Sequence, residues 1–553
     1  MRRGHVSQRE VLWVLAWSLV AMILTSLPYA LGWALSSPEV EFSGFVYNAV
    51  DCNSYVAKMF LGQRGAWLFH NVYTPEAHPG ALIFLYHILL GKVAGLTGLS
   101  LVVTYHLARL VTIPLLFLAM YAFAAYFTPW VALRRLTLLL SAFAGGFGWL
   151  LMLLGQHHWL GSLPLDLILP EGFTFLVIYA LPHLALARTL MLIAFLCTLH
   201  AFARGRARWA VLGGLASLGM GLIVPFYVLV FDVVLGNYLV ALFIRRRKLP
   251  WAEVGLALPT VLIPAPLVTY NTWLFSTQPV YREWAVQNAV RSPHPLHYVA
   301  GYALVGVLAI GGVVWVLRRH DERWLFPVAW VIVVPPLLYA PFNLQRRLIE
   351  GMQVPLALLA SVGLARYVLP AFSRSRLVRL LTRNPRYTLS GLRRLAVTAV
   401  VLATVPTNVF LLAGNSLELL AHRESPLFHE RAEIEANDWL RVHTAPEDIV
   451  FCAFQTGNYV PARAGNRVFL GHTPETINAG EKKRIVARFF SADPDAEWRM
   501  AILREYSIAY VLVGPRERAL GNFRPDAAPY LRQVYDNGRY AIYRVEMSAN
   551  GGK

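Results

Sequence analysis

Cysteine is nearly missing from this sequence. Cys52, Cys197 and Cys452 are the three present in 553 residues. They form no C-x-x-C pair and no ligand spacing, so neither a disulfide framework nor a zinc site is indicated. Acidic residues are also few, 31 against 50 lysines and arginines, and charge of either sign makes up 15% of the chain. A formal charge of +19 first suggests nucleic acid. The basic residues, however, cluster in short loops between apolar runs. Membrane topology accounts for that pattern and a nucleic-acid interface does not. There is no low-complexity segment and no internal repeat, and the missing repeat argues against the matched halves of a secondary transporter.

What the chain has in quantity is apolar length. Hydrophobic residues are 57% of the total, and runs of about 18 or more, enough to span hydrocarbon, recur. The sequence is that of an α-helical polytopic membrane protein with room for one modest soluble domain. The opening "MRRGHVSQRE" leads into an apolar run that continues to about Trp33 without an A-x-A-like site. It therefore reads as a retained first span, not a signal peptide.

Short basic clusters lie at Arg2/Arg3/Arg9, Arg134/Arg135, Arg204/Arg206/Arg208, Arg245 to Lys248, Arg318/Arg319/Arg323, and from Arg366 to Arg394. The positive-inside rule makes these cytoplasmic. About eleven spans follow, near 11–33, 101–127, 136–155, 183–203, 209–224, 226–244, 252–272, 298–317, 324–340, 354–370 and 395–413, with the N-terminus inside and the C-terminus outside. The run 79–98 would invert every later loop if it crossed. It reads as a short interfacial or re-entrant helix interrupted by Lys92. Residues 1–413 are then a membrane domain with a large first exoplasmic loop at 34–100. Residues 414–553, where spans stop and helix-like and strand-like runs alternate, are a soluble exoplasmic α/β domain. Within it "TGNYVPARAGNRVFLGHTPET" reads as a long loop.

Most of the distinctive polar chemistry falls in the exoplasmic loops. Asp51, in "YNAVDCNSYVAKM", stands just ahead of a short amphipathic helix, as an N-cap or as a functional carboxylate. Arg346 and Arg347, in "PFNLQRRLIEGMQVPL", defy the topogenic signal; they are either a snorkelling anchor or ligands for an anion. Arg109 lies inside a span and needs a partner there. Asp166, Glu171, His183 and Arg188 gather around the second exoplasmic loop, as caps and interface groups or as ligand contacts. Tyr281, Trp284, Gln287 and Asn288 share a helical turn, as an interfacial aromatic belt or as a lid.

The order of these elements resembles the GT-C membrane glycosyltransferases, the superfamily of oligosaccharyltransferases, protein O-mannosyltransferases and lipid A aminoarabinose transferases. The early Asp of a large first loop, the "HPG" turn before an interfacial helix, the many spans and the soluble tail carry the resemblance, along with "GFVYNAVDCNSYVAKM", "SPHPLHYVAGY" and "NLQRRLIEGM". It implies a bacterial inner or plasma membrane enzyme that takes a sugar from a polyprenyl-phosphate donor at the exoplasmic face, with inversion, and passes it to an acceptor the sequence does not identify. Asp51 matches the family's acidic position and would be the base. Arg346 and Arg347, supported by Arg109 and Arg188, would hold the donor phosphate. Glu171, His183, Tyr281, Trp284, Gln287 and Asn288 would touch sugar or acceptor. A divalent metal (Mg or Mn) on Asp51, Asp166 or Glu171 stays open, although the paired D-x-D-like arrangement of oligosaccharyltransferases is missing here. A non-catalytic assembly or binding protein of the same fold is the alternative, and a lipid or solute transporter a weaker one.

Overall fold

The computed structural model describes residues 5–546, so Arg2 and Arg3 lie outside the described residues. Among the described residues, seven helices are long and apolar enough to cross a membrane: Gln8–Ala34, Leu101–Phe127, Val131–Leu153, Pro182–Arg204, Tyr227–Arg246, Leu296–Leu317 and Gln353–Ser373. Two bent pairs, Trp251–Leu262 with Ala265–Thr277 and Leu389–Ala403 with Pro406–Ala421, turn by 50° and 42° and bring the count to nine if each is one span. Pro264 and Pro406 stand at the two breaks, where a missing N–H interrupts the helical ladder. The other two expected spans, 209–224 and 324–340, coincide with shorter helices, Ala207–Ile223 and Leu325–Leu337.

The chain divides into two compact units. One comprises Met1–Ser26, Ala108–Asn271 and Ala289–Gly414; the other comprises Leu27–Leu107, Thr272–Asn288 and Asn415–Lys553.

In the first unit the sequence Ser7-Gln-Arg-Glu10 forms a capping box. The Ser7 amide donates to Glu10 at 3.0 Å and the Glu10 amide to Ser7 Oγ at 3.4 Å. Glu10 also accepts from Arg134 Nη1 at 2.8 Å and Tyr121 Oη at 2.6 Å. Arg135 lies over the Trp13 ring at 4.9 Å. The start of the first long helix and the Arg134/Arg135 pair thus share one end of this unit. The helix within 79–98 is Leu85–Thr97, 13 residues, about 20 Å long against about 30 Å of hydrocarbon.

The second unit holds both sheets. Strands β1 (Val40–Phe42) and β2 (Phe428–Glu430) pair antiparallel. The larger sheet contains β3 (Ile449–Phe451), β4 (Arg467–Val468), β5 (Ile508–Val513), β6 (Leu531–Asp536) and β7 (Ala541–Val545) in the order β4-β3-β5-β7-β6. Its β4, β3 and β5 are parallel, and β7 and β6 are antiparallel. Alternation along the strands gives the sheet two buried faces. Phe451, Val511 and Val513 pack with Phe489, Phe490 and Leu503 on one face. Val450, Cys452 and Leu512 pack with Ala436, Leu440, Val460 and Ala57 on the other.

The expected loop at 456–476 is a correction. Phe454–Arg463 is a helix, and β4 follows it. Gly457 and Pro461 are poor helix formers in isolation, but burial of Val460 and Ala462 outweighs that preference.

Candidate active site

Asp51 is not ahead of its helix but in its first turn. The helix is Ala49–Gln63, entered through Asn48 in the left-handed region (φ 54°). A carboxylate there is favoured by the helix N-terminus, and Asp51 Oδ2 accepts from Asn48 Nδ2. Two close contacts fix this helix. A Cβ on Gly62 would lie 2.0 Å from the Ile88 carbonyl oxygen, and one on Gly91 would lie 1.8 Å from that of Met59, so Leu85–Thr97 packs directly on its backbone. On the other side, Asn53 Nδ2 donates to Asn458 Oδ1 at 2.9 Å, and Asn458 Nδ2 donates to the Val50 carbonyl at 3.1 Å.

Behind Asp51 runs a chain of buried charge. His472 Nε2 lies 2.9 Å from Asp51 Oδ1. His472 Nδ1 faces Glu475 Oε1 at 3.5 Å, an electrostatic contact longer than a hydrogen bond. Lys58 Nζ meets the same Glu475 oxygen at 2.6 Å and also donates to Ser54 Oγ at 3.1 Å. The side chains of Lys58, His472 and Glu475 are 1%, 4% and 5% exposed, and that of Asp51 is 35% exposed. Burial opposes protonation of His472, but the Asp51 and Glu475 carboxylates outweigh it and raise the imidazole above its ordinary 6.5. Burial alone would raise Glu475; Lys58 and His472 instead hold it at about 2.

The segment 272–288 belongs to the same unit, and all four of its candidate sugar contacts have structural partners. Tyr281 is buried and its hydroxyl donates to the Pro79 carbonyl at 2.8 Å. Trp284 packs 5.8 Å from Phe84 and 5.7 Å from Phe275. Gln287 donates to the carbonyls of Pro474 and Thr476 at 3.2 and 3.0 Å. Asn288 Nδ2 donates to the carbonyls of Trp284, at 2.8 Å, and of Pro474. Gln287 and Asn288 also border an open cleft of about 510 Å³ with Glu283, Asn478, Glu481 and Arg484.

The first unit holds the arginines. Arg346 and Arg347 sit on the short 3-10 turn Gln345–Ile349. Arg347, 44% exposed, reaches Glu171 Oε1 with its Nε at 3.7 Å. Arg346 is half-buried, and among the described residues no carboxylate comes within ion-pairing distance of it. The facing loop is tied to this turn: the Arg346 amide donates to the Val290 carbonyl at 3.4 Å, and the Ser292 amide donates to Gln345 Oε1 at 3.1 Å. Arg291, on that loop, lines a cleft of about 320 Å³ with Phe342, Asn343 and Gln345.

Arg188 is placed differently from the expectation. It is fully buried, and its donors go to Glu350, to Thr174 Oγ1 at 3.1 Å, and to the carbonyls of Pro170 and Glu171 at 3.0 and 2.8 Å. Its Nη2 meets Glu350 Oε2 at 3.0 Å. Since Glu350 lies three residues beyond Arg347, this pair sets the height of the arginine turn against Glu171. Arg109 is buried and donates to the hydroxyls of Thr25 and Ser26, each at 2.9 Å. His183 is buried in the first turn of Pro182–Arg204.

A metal does not fit these carboxylates. Asp166 Oδ2 accepts from the Gly146 and Gly148 amides at 3.0 Å each and from Thr407 Oγ1 at 2.8 Å, so it caps a break in the Val131–Leu153 span. Burial raises its carboxyl despite those bonds. Glu171 faces Arg347, and Asp51 faces His472. Among the described residues no group of three or more His, Cys, Asp or Glu is arranged to hold a metal ion.

His472, Glu475, Lys58, Arg291 and Glu350 were not singled out in the sequence. Glu350 carries a signal, a lone acid at the mouth of an apolar span. His472 and Glu475 sit in the turn-like "GHTPET" and carry none.

No family model matches the sequence, and no curated protein matches it either. Solved structures do match in fold. An oligosaccharyltransferase from Archaeoglobus fulgidus superposes with a TM-score of 0.52 at 14% identity, over 97% of this chain and 75% of its own. ArnT from Cupriavidus metallidurans, bound to undecaprenyl phosphate, gives 0.50 at 12% identity over 98% and 99%. The arabinofuranosyltransferase AftD from Mycobacteria gives 0.53 at 17% identity over 100% of this chain and 42% of its own. The chain is therefore a multi-pass membrane protein with the fold of the GT-C glycosyltransferases.

Proposed function

We propose that this protein is an integral-membrane glycosyltransferase that moves a sugar from a polyprenyl-phosphate carrier to an acceptor at the exoplasmic face. The observation that carries the reading is Asp51: a carboxylate open to solvent at a helix N-terminus, backed by buried charge, in a fold shared with enzymes of this class. Undecaprenyl phosphate bound to ArnT supports the carrier class.

In the proposed reaction Asp51 takes the proton of an acceptor hydroxyl as its oxygen bonds to the anomeric carbon. The bond from that carbon to the phosphate oxygen breaks, its electron pair leaves with the polyprenyl phosphate, and the configuration inverts. Negative charge grows on the phosphate as it departs, and the arginines of the 345–349 turn would stabilise it. The test is overexpression followed by mass spectrometry of extracted lipids. Depletion of a polyprenyl-phosphate sugar is expected, and an unchanged lipid profile would favour a non-catalytic binding role.

Orientation is part of the proposal. Reporter fusions after Lys248 and after Arg379 are expected to read cytoplasmic, and a fusion after Gly414 exoplasmic. An exoplasmic reading at Arg135 would overturn the assignment.

The two arginines should differ. Among the described residues Arg346 has no carboxylate to neutralise it, so Arg346→Ala is expected to weaken binding of undecaprenyl phosphate in detergent by roughly ten- to a hundredfold, about 1.5–3 kcal/mol. Arg346→Lys should recover only part, because a point charge does not reproduce the bidentate fork. Arg347, partly satisfied by Glu171, should show a smaller loss. If both alanine variants bind like the parent, the pair is a membrane anchor.

A further inference from the structure

We propose that His472 is the positioning residue for Asp51, holding one carboxylate oxygen through Nε2 while Glu475, fixed by Lys58, faces the other ring nitrogen. This rests on the reading of Asp51 as the base.

The argument begins from cost. Taking charges out of water costs several kcal/mol each, and well-packed apolar side chains generally serve stability as well or better. Here three charged side chains are buried in a row, and the row ends on the one member that reaches solvent. Such an arrangement needs a use. A carboxylate free to rotate presents either oxygen to a substrate; with Oδ1 held by His472 and Oδ2 beside Asn48, Asp51 presents one fixed face. When the acceptor proton arrives on Oδ2, the bond at Oδ1 persists and no proton need pass to the imidazole.

The imidazole is itself fixed. The amides of His472 and Gly471 both donate to Thr476 Oγ1 at 3.2 Å, and the amides of Glu475 and Thr476 close back onto the His472 carbonyl at 2.9 and 2.7 Å. The charged and titratable groups around the ring are Asp51 and Lys58 from the helix Ala49–Gln63, Glu475 from its own loop, and Tyr73, whose ring centroid lies 5.5 Å away. Two carboxylates and one ammonium leave a single negative charge for the imidazolium to balance. Because its folded-state pKa is raised, the charged contact with Asp51 is fully present below the ordinary value of 6.5 and is lost as pH rises through the folded value.

The test uses full-length protein in detergent with 13C-labelled histidine. The His472 resonance, identified by its loss in His472→Gln, should titrate above 6.5 in the parent and at a lower pH in Asp51→Asn. With polyprenyl-phosphate sugars extracted from host membranes as donor, His472→Gln should lower kcat roughly tenfold or more with KM little changed. The acidic limb of its pH profile should move to higher pH, because Asp51 has lost a neighbouring cation. A purely structural histidine would leave that limb in place. An His472 midpoint unmoved by Asp51→Asn overturns the positioning role. If the midpoint shifts but Asp51→Asn still transfers sugar, the contact stands and the assignment of Asp51 as base falls.

Discussion

Replacing Asp51 with asparagine is expected to abolish sugar transfer, lowering the rate by about a hundred- to ten-thousandfold, while leaving the protein folded and able to bind undecaprenyl phosphate. Asparagine keeps the shape of the side chain and a carbonyl oxygen where Oδ1 stands, so His472 retains an acceptor. It still suits the first turn of the helix Ala49–Gln63. What it loses is the capacity to take a proton. Asp51 is the exposed end of its network, and His472, which loses a counter-charge in the change, can release its proton and stay buried as the neutral imidazole. The measurement is single-turnover transfer in detergent beside binding of the lipid phosphate. Full activity in the asparagine variant would return Asp51 to a structural role, as the acceptor for Asn48 at the helix start.

The second large effect is on stability. Removing either member of the Arg188–Glu350 pair, as Arg188→Ala or Glu350→Ala, is expected to destabilise the first unit by about 3–5 kcal/mol, because the surviving charge stays buried without its partner. The pair ties two loops. Arg188 donates to the carbonyls of Pro170 and Glu171, and the Gly351 amide donates to the Glu171 carbonyl at 3.2 Å. Its loss should therefore also loosen the contact between Glu171 and Arg347. The double variant Arg188→Met/Glu350→Leu should recover much of the stability while still weakening binding of undecaprenyl phosphate, since apolar side chains fill the volume without fixing the loops. Thermal unfolding in detergent reports the first effect and titration with undecaprenyl phosphate the second. Single variants as stable as the parent would mean the loops are held by other bonds, such as that from the Thr174 amide to Gln353 at 2.7 Å.

Apolar length and basic clusters, both local properties of the chain, were enough to read the long helices, the short 79–98 helix and the C-terminal sheet. The same local reasoning singled out Asp51 and the Arg346/Arg347 pair, because a charge set against an apolar or topological background stands out in one dimension. It failed where long-range packing decides. Phe454–Arg463 is a helix despite Gly457 and Pro461 because its apolar face is buried against the sheet. Arg188 looked like a ligand because its type and depth are those of one. Only the folded chain brings Glu350, 162 residues away, onto the Nε and Nη2 edge of its guanidinium. His472 lies 421 residues from Asp51, and no periodicity or motif joins positions so far apart. Spans and charge placement are written locally because a bilayer selects on local hydropathy; which buried charges meet is a property of tertiary structure, since each must find an opposite charge wherever the fold brings one.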